Sequence, residues 1–125
     1  MQKAISKINR LLNTQENSVY SAAILGSEFY IKQNEHFNLM EQACRFAVEN
    51  VHLEDLEDRK LAIDIGSKCF YCLFGPGKRT LVACLIKKGS PVRKSIHRLM
   101  RSILDDLEVD VRLSKIVRYD PLQQK

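Results

Sequence analysis

The chain has 125 residues, of which 45% are hydrophobic and 28% charged, and its formal net charge is +5. This length suits one domain with a single core, and the composition is typical of a folded protein rather than a disordered one. No apolar run approaches the roughly 20 residues of a membrane span, and the N-terminus lacks a secretory signal. We therefore expect a cytoplasmic protein that contacts membranes only through its partners.

The first half of the chain contains five basic and nine acidic residues up to Asp58, so its net charge is 5 − 9 = −4. From Arg59 onward there are fifteen basic and six acidic residues, which gives 15 − 6 = +9. Such a bipolar charge distribution favours electrostatic steering onto charged partners.

The first elements are an amphipathic helix over residues 2–13 and two strands. The strands cover 19–25 and 29–31, and Gly26 and Ser27 form the turn between them. Asn34 is a candidate N-cap for the helix that follows.

This middle helix, over residues 35–53, has an unusually wide apolar side. At about 100° per residue, its apolar residues cover an arc of roughly 220°, whereas an ordinary surface helix needs about 100° or somewhat more. These residues are Phe37, Leu39, Met40, Ala43, Cys44, Phe46, Ala47, Val48 and Val51. Because the excess would be an exposed apolar patch, we interpret this helix as an association helix that contacts both its own sheet and a partner.

Three more strands and a helix complete the pattern. The strands are predicted over 60–65, 69–74 and 80–87, with Gly-containing turns between them. Ser90 and Pro91 are the expected cap and first residue of a last helix over 92–107. The predicted fold is therefore an α/β (α+β) sandwich with a mostly antiparallel five-stranded sheet, in the order helix, two strands, helix, three strands, helix. Residues 1–108 form the domain, and 109–125 form a basic tail.

The cysteines do not predict a metal site. Cys69 and Cys72 have the spacing of a zinc knuckle, but they fall inside a strand, where side chains three residues apart point to opposite faces. Cys44 and Cys84 lie in apolar segments and are interpreted as small core residues. No metal or other cofactor is expected.

Catalytic motifs are also missing from the sequence. The segment 75–79 resembles a phosphate-binding loop in composition, but it leads into a strand, whereas such loops lead into a helix. Asp64 is interpreted as an edge or interface residue rather than a general base. We therefore predict that the protein is not an enzyme.

The last helix has a basic face opposite its apolar stripe. With the end of the preceding strand, this face predicts a surface for an acidic partner, formed by Lys87, Lys88, Arg93, Lys94, Arg98 and Arg101. A solvated helix face is the simplest alternative. Another alternative is a nucleic-acid-binding module, although the sequence has no interleaved exposed aromatic residues to support it. Its residues would be Arg79, Lys87, Lys88, Arg93, Arg98 and Arg101.

In its order of elements and hydrophobic pattern, the chain resembles the roadblock/longin family of small regulatory and scaffold domains. The resemblance spans roughly residues 2–108. It rests on four segments: the hairpin Ala22-Ala23-Ile24-Leu25-Gly26-Ser27-Glu28-Phe29, the long helix after it, the meander ending in Leu81-Val82-Ala83-Cys84-Leu85-Ile86 and the helix 92–107. The first hairpin lacks the Asp-Gly or Asn-Gly common at that turn, and the family pattern does not require the basic tail.

The resemblance implies that two domains pair side by side, with the middle helices packed together and the third strands joined into one sheet. The partner would be a second copy or a related roadblock-like subunit, and the dimer would be a platform for small GTPases or for adaptor and motor complexes. Some family members assist GTP hydrolysis on a bound GTPase. The interface would be formed by Phe37, Met40, Cys44, Ala47, Val48, Val51, Leu61, Ile63 and Ile65. A profilin- or PAS-like sensor domain is a weaker alternative.

Overall fold

A computed structural model describes residues 6–10, 19–26, 29–76, 80–89 and 93–118, the last range as backbone alone at residue 93 and from 108 onward. Helix α1 includes residues 6–10. The other elements are β1 (Val19–Leu25), β2 (Phe29–Ile31), α2 (Phe37–Asn50), β3 (Lys60–Ile65), β4 (Lys68–Phe74), β5 (Leu81–Lys87) and α3 (Arg93–Arg118). This order confirms the predicted fold class.

The five strands form one sheet in the order β2-β1-β5-β4-β3, and every neighbouring pair is antiparallel. Strand β5 is central because it pairs with β1 on one side and with β4 on the other. The edges are β2, with three residues, and β3, with six. The sheet therefore has one short edge and one long edge.

Each face of the sheet carries its own hydrophobic cluster. On the face covered by α1 and α3, strand residues such as Cys69 and Leu73 pack with Ile8, Ile96 and Met100. On the other face, residues such as Phe70 and Cys72 pack with residues of α2. The alternation along β4 confirms that Cys69 and Cys72 lie on opposite faces.

The middle helix is shorter than the predicted range of 35–53. It begins at Phe37, after His36, and ends at Asn50. The prediction that Asn34 is the N-cap is wrong, because Asn34 lies two residues earlier. Its Oδ1 accepts a hydrogen bond from the backbone N–H of His36 at 2.9 Å, and its amide donates to the Tyr20 carbonyl at 3.0 Å. Asn34 thus forms a turn that joins the helix start to β1.

The last helix is longer than predicted, since α3 has 26 residues and continues to Arg118. Its backbone crosses the expected boundary at residue 108 and includes the first part of the predicted tail. Ser90 and Pro91, the expected cap and first residue, lie outside the described residues.

Two short 3₁₀ turns, Leu53–Asp55 and Glu57–Arg59, connect α2 to β3. Asp58 and Arg59 both have positive φ angles, 54° and 55°. The acidic residues Glu54, Asp55, Glu57 and Asp58 are all exposed on this connection.

Candidate association surface

The inner side of α2 belongs to the core of the chain itself. Met40, Cys44 and Ala47 have no exposed surface and pack against the sheet. These three residues belong to the predicted dimer interface, and the structure buries them in the core of their own chain.

The exposed apolar surface of α2 lies on a side of the helix away from these buried residues. Leu39 and Ala43 are half-buried, and Phe46 is 53% exposed. At about 100° per residue, Phe46 lies roughly 130° around the helix from the mean direction of Met40, Cys44 and Ala47. Phe46 was part of the predicted arc but not of the predicted interface. No signal in the sequence distinguishes it from the rest of the arc, because periodicity does not show which of the apolar residues the chain buries.

Strand β3 forms the long edge of the same sheet. Its side chains alternate between exposed and half-buried, and the half-buried Leu61, Ile63 and Ile65 pack against the cluster under α2. No strand among the described residues pairs with its outer edge. An edge of this length leaves a row of backbone N–H and C=O groups available to another chain.

The remaining predicted interface residues have intermediate burial. Phe37 and Val48 pack against the same cluster as the β3 residues, and Val51 follows the last residue of the helix. The structure thus places Phe37, Val48, Leu61, Ile63 and Ile65 beside one apolar cluster. We use the term association surface for these residues together with Leu39, Ala43 and Phe46, which lie on the other flank of α2.

The exposed side chains of β3 form a second row, on the face of the sheet away from α2, and this row is charged at both ends. Lys60, Ala62 and Asp64 are exposed, which shows that neither α1 nor α3 covers this part of the sheet. Asp64 Oδ2 lies 3.4 Å from the Lys88 Nζ, and both side chains are more than half exposed. An exposed pair of this kind contributes little to stability.

The basic surface is described only in part. Lys87, Lys88, Lys94 and Arg98 are exposed, and Arg101 is half-buried. The Arg93 side chain and all of Arg79 lie outside the described residues. The described members of this surface lie at the end of β5 and in the first turns of α3.

Cysteine chemistry is suppressed by burial. All four cysteines are buried. Desolvation raises the pKa of the Cys44 thiol from an ordinary value of 9.0 to about 12. Burial also raises the pKa of Cys72, and the neighbouring Cys44 and Cys84 thiols raise it further. Such thiols are poor nucleophiles near neutral pH.

Other chemistry-bearing groups do not converge on a site in the described ranges. No three His, Cys, Asp or Glu side chains there are grouped so that they could hold a metal ion. The Tyr71 hydroxyl forms a hydrogen bond with the Nδ1 of His97, which joins β4 to α3. Strands β4 and β5 are antiparallel neighbours, and the Gly75 N–H donates a hydrogen bond to the Thr80 carbonyl at 2.8 Å; residues 77–79, between them, lie outside the described residues.

None of the helices in the described ranges has the length and apolar character that crossing a bilayer requires. No protein-family model matches this chain, and no curated protein or solved structure matches it significantly.

Proposed function

We propose that this protein is a non-catalytic association subunit of roadblock-like type, which pairs through α2 and β3 with a second copy or a related subunit. The observation that carries the proposal is the combination of a six-residue free strand edge with an exposed phenylalanine on the helix that covers the same face. Both features belong to one face of the sheet. An exposed strand edge is a template for pairing with another chain, and one partner could cover both this edge and Phe46.

The pairing would extend the sheet across two subunits. Backbone groups of β3 would bond to the partner's edge strand, while the apolar row of Leu61, Ile63 and Ile65 would meet the partner's apolar residues. Interfaces gain most from aromatic side chains that become fully desolvated, and Phe46 is the candidate for that role on α2.

The paired subunits would present their basic surface to an acidic protein. Lys87, Lys88, Lys94 and Arg98 support this part of the proposal because they are exposed and close in sequence. By the family resemblance, the docked protein would be a small GTPase or a component of a larger adaptor or motor complex.

The decisive experiment is the solution mass of the purified chain, measured by light scattering after size exclusion at low and moderate salt. We expect twice the chain mass of 14.4 kDa at both salt concentrations. Phe46→Glu should shift the protein to monomer, because a carboxylate cannot be desolvated at the centre of an apolar interface.

The matched control is Asn38→Glu, which places the same side chain on an exposed position of the same helix. This variant should remain dimeric. Circular dichroism of both variants checks that the fold is retained. A monomeric wild-type chain, or a Phe46→Glu variant that is folded and fully dimeric, would contradict the proposal.

A further inference from the structure

Two lysines lie side by side on the face of the sheet that α2 covers. In the antiparallel pairing of β4 with β5, Lys68 is directly opposite Lys87. Phe70, two residues after Lys68, and Leu85, two residues before Lys87, both belong to the apolar cluster under α2. Because side chains alternate along a strand, the two lysines continue this face beyond the end of the cluster.

The two positive charges have no negative counterpart among the described side chains. The Cβ atoms of directly opposite residues are about 5 Å apart, and like charges in such a pair are destabilising. No described carboxylate lies within ion-pair distance of Lys68 or Lys87. Asp64, at the same end of the sheet, instead contacts Lys88 on the face away from α2. The first turn of α2 contains no acidic residue that could neutralise the pair from above.

Two aromatic rings lie beside this lysine pair. The Lys68 Nζ is 5.3 Å from the centre of the Tyr20 ring, which is within the range of a cation–π interaction. The Tyr20 ring contacts the His36 ring, with 5.4 Å between their centroids. The hydrogen bonds of Asn34 to the Tyr20 carbonyl and from the His36 N–H hold the two backbones together. Tyr20, His36 and Lys68 are all half-buried, so their positions are restricted before a ligand binds.

We propose that Lys68 and Lys87, with His36 beside them, form a binding site for a phosphomonoester group, either on a small soluble molecule or on a lipid headgroup. A phosphomonoester carries about 1.5 to 2 negative charges near neutral pH and has three acceptor oxygens, so one group can neutralise both lysines. A carboxylate brings a single charge. Lysine binds phosphate as a point charge, and the His36 ring can donate a further hydrogen bond.

This site goes beyond the proposed function and does not depend on pairing through α2 and β3. Lys87 also belongs to the basic surface that is proposed to dock an acidic protein, but Lys68, Tyr20 and His36 do not. The exposed Lys88, Lys94 and Arg98 of that surface can therefore be changed without touching the other members of the phosphate site.

Isothermal titration calorimetry with glycerol 3-phosphate tests the site on the wild-type chain. We expect one saturable site per chain. Diethyl phosphate is the matched probe, because as a diester it carries a single negative charge. It should bind at least about tenfold more weakly, since it can neutralise only one of the two lysines.

Variants show whether the two lysines form the site. Lys68→Gln and Lys87→Gln should each weaken the binding of glycerol 3-phosphate by at least about tenfold. Lys88→Gln is the matched control, because Lys88 is exposed and adjacent in sequence but contacts Asp64 on the other face. It should change the affinity by no more than about twofold at physiological salt. Saturating glycerol 3-phosphate should raise the unfolding temperature of the wild-type chain and Lys88→Gln, but not that of the other two variants.

Vesicle sedimentation distinguishes the two sources of the phosphomonoester. Phosphatidylcholine vesicles with phosphatidic acid present a phosphomonoester headgroup, whereas those with phosphatidylglycerol present a diester. A preference for phosphatidic acid that Lys68→Gln abolishes would identify a lipid headgroup. Binding of glycerol 3-phosphate without sedimentation would identify a soluble ligand.

Two results would overturn the site. One is that neither phosphomonoester probe binds in preference to its diester counterpart. The other is that Lys88→Gln weakens binding as much as Lys68→Gln and Lys87→Gln, because the probe would then respond only to the positive charge of the whole basic surface, as an acidic protein or a nucleic acid would. The solution mass tests the proposed pairing separately, so either hypothesis can fail while the other stands.

Discussion

The Nζ of Lys7 in α1 lies 2.7 Å from Oδ2 of Asp106 in α3, and the same ammonium group donates a hydrogen bond to the Ser102 Oγ at 2.6 Å. Side chains of Lys7 and Asp106 are about three-quarters buried, at 25% and 23% exposure. This contact fixes the first helix to the last one on the face of the sheet opposite α2. Both helices therefore lie on the opposite face of the sheet from the association surface.

Removing this contact should destabilise the fold without changing association. Lys7→Met leaves a largely buried carboxylate without its cation, so the free energy of unfolding should fall by about 1–3 kcal/mol. The measurement is urea denaturation followed by circular dichroism. Lys7→Met/Asp106→Ala removes both charges and should be less destabilised than the sum of the two single variants. Strictly additive effects would show that the two groups do not interact.

Stability should decline at alkaline pH because of the buried thiols. In the unfolded chain the Cys44 thiol loses its proton near pH 9.0, whereas in the folded chain it keeps the proton until about pH 12. The contribution of the protonated Cys44 thiol to the free energy of unfolding is therefore complete below pH 9. It is lost as the pH rises toward 12. Within this window Cys44 contributes a slope of about 1.4 kcal/mol per pH unit.

The control for this prediction is Cys44→Ala, measured by urea denaturation at several pH values between 9 and 10.5. The variant will be less stable overall because it removes a buried side chain. Its stability should nevertheless fall less steeply with pH than that of the wild-type chain. Identical slopes would show that Cys44 does not titrate differently in the two states.

The turn between β3 and β4 requires glycine at its first central position. Gly66 has φ +63°, and a Cβ added there would meet no atom within 4 Å. Gly66→Ala therefore tests backbone strain alone, and we expect a loss of about 1–2 kcal/mol in the free energy of unfolding. Ser67→Ala, at the neighbouring position without a positive φ, should change it by less than about 0.5 kcal/mol. Equal losses in the two variants would contradict this explanation.

Local patterns were sufficient to predict most elements of this protein. The bounds of β1, β2 and β3 agree with the predicted ranges, because alternation of side chains and Gly-containing turns are properties of short segments. The placement of Cys69 and Cys72 on opposite faces followed from the same period of two residues. The charge imbalance between the two halves is likewise a property of composition.

The candidate site could be predicted only in part. Periodicity identified α2 as a helix with excess apolar residues. It could not decide which of these residues are buried in the core of the chain and which are exposed. Met40, Cys44 and Ala47 are fully buried, whereas Phe46 on the far flank is exposed. That division depends on where α2 rests on the sheet, which is set by packing between segments distant in sequence.

The sequence alone therefore determined the type and order of the elements, the two faces of the strands and the excess of apolar surface on α2. Only the tertiary structure decided that β5 lies between β1 and β4, that β3 is an edge strand of the described sheet and that Lys7 meets Asp106. The physical reason is that side-chain periodicity and turn preferences act over a few residues. Strand order and helix placement depend instead on which distant surfaces bury each other most completely.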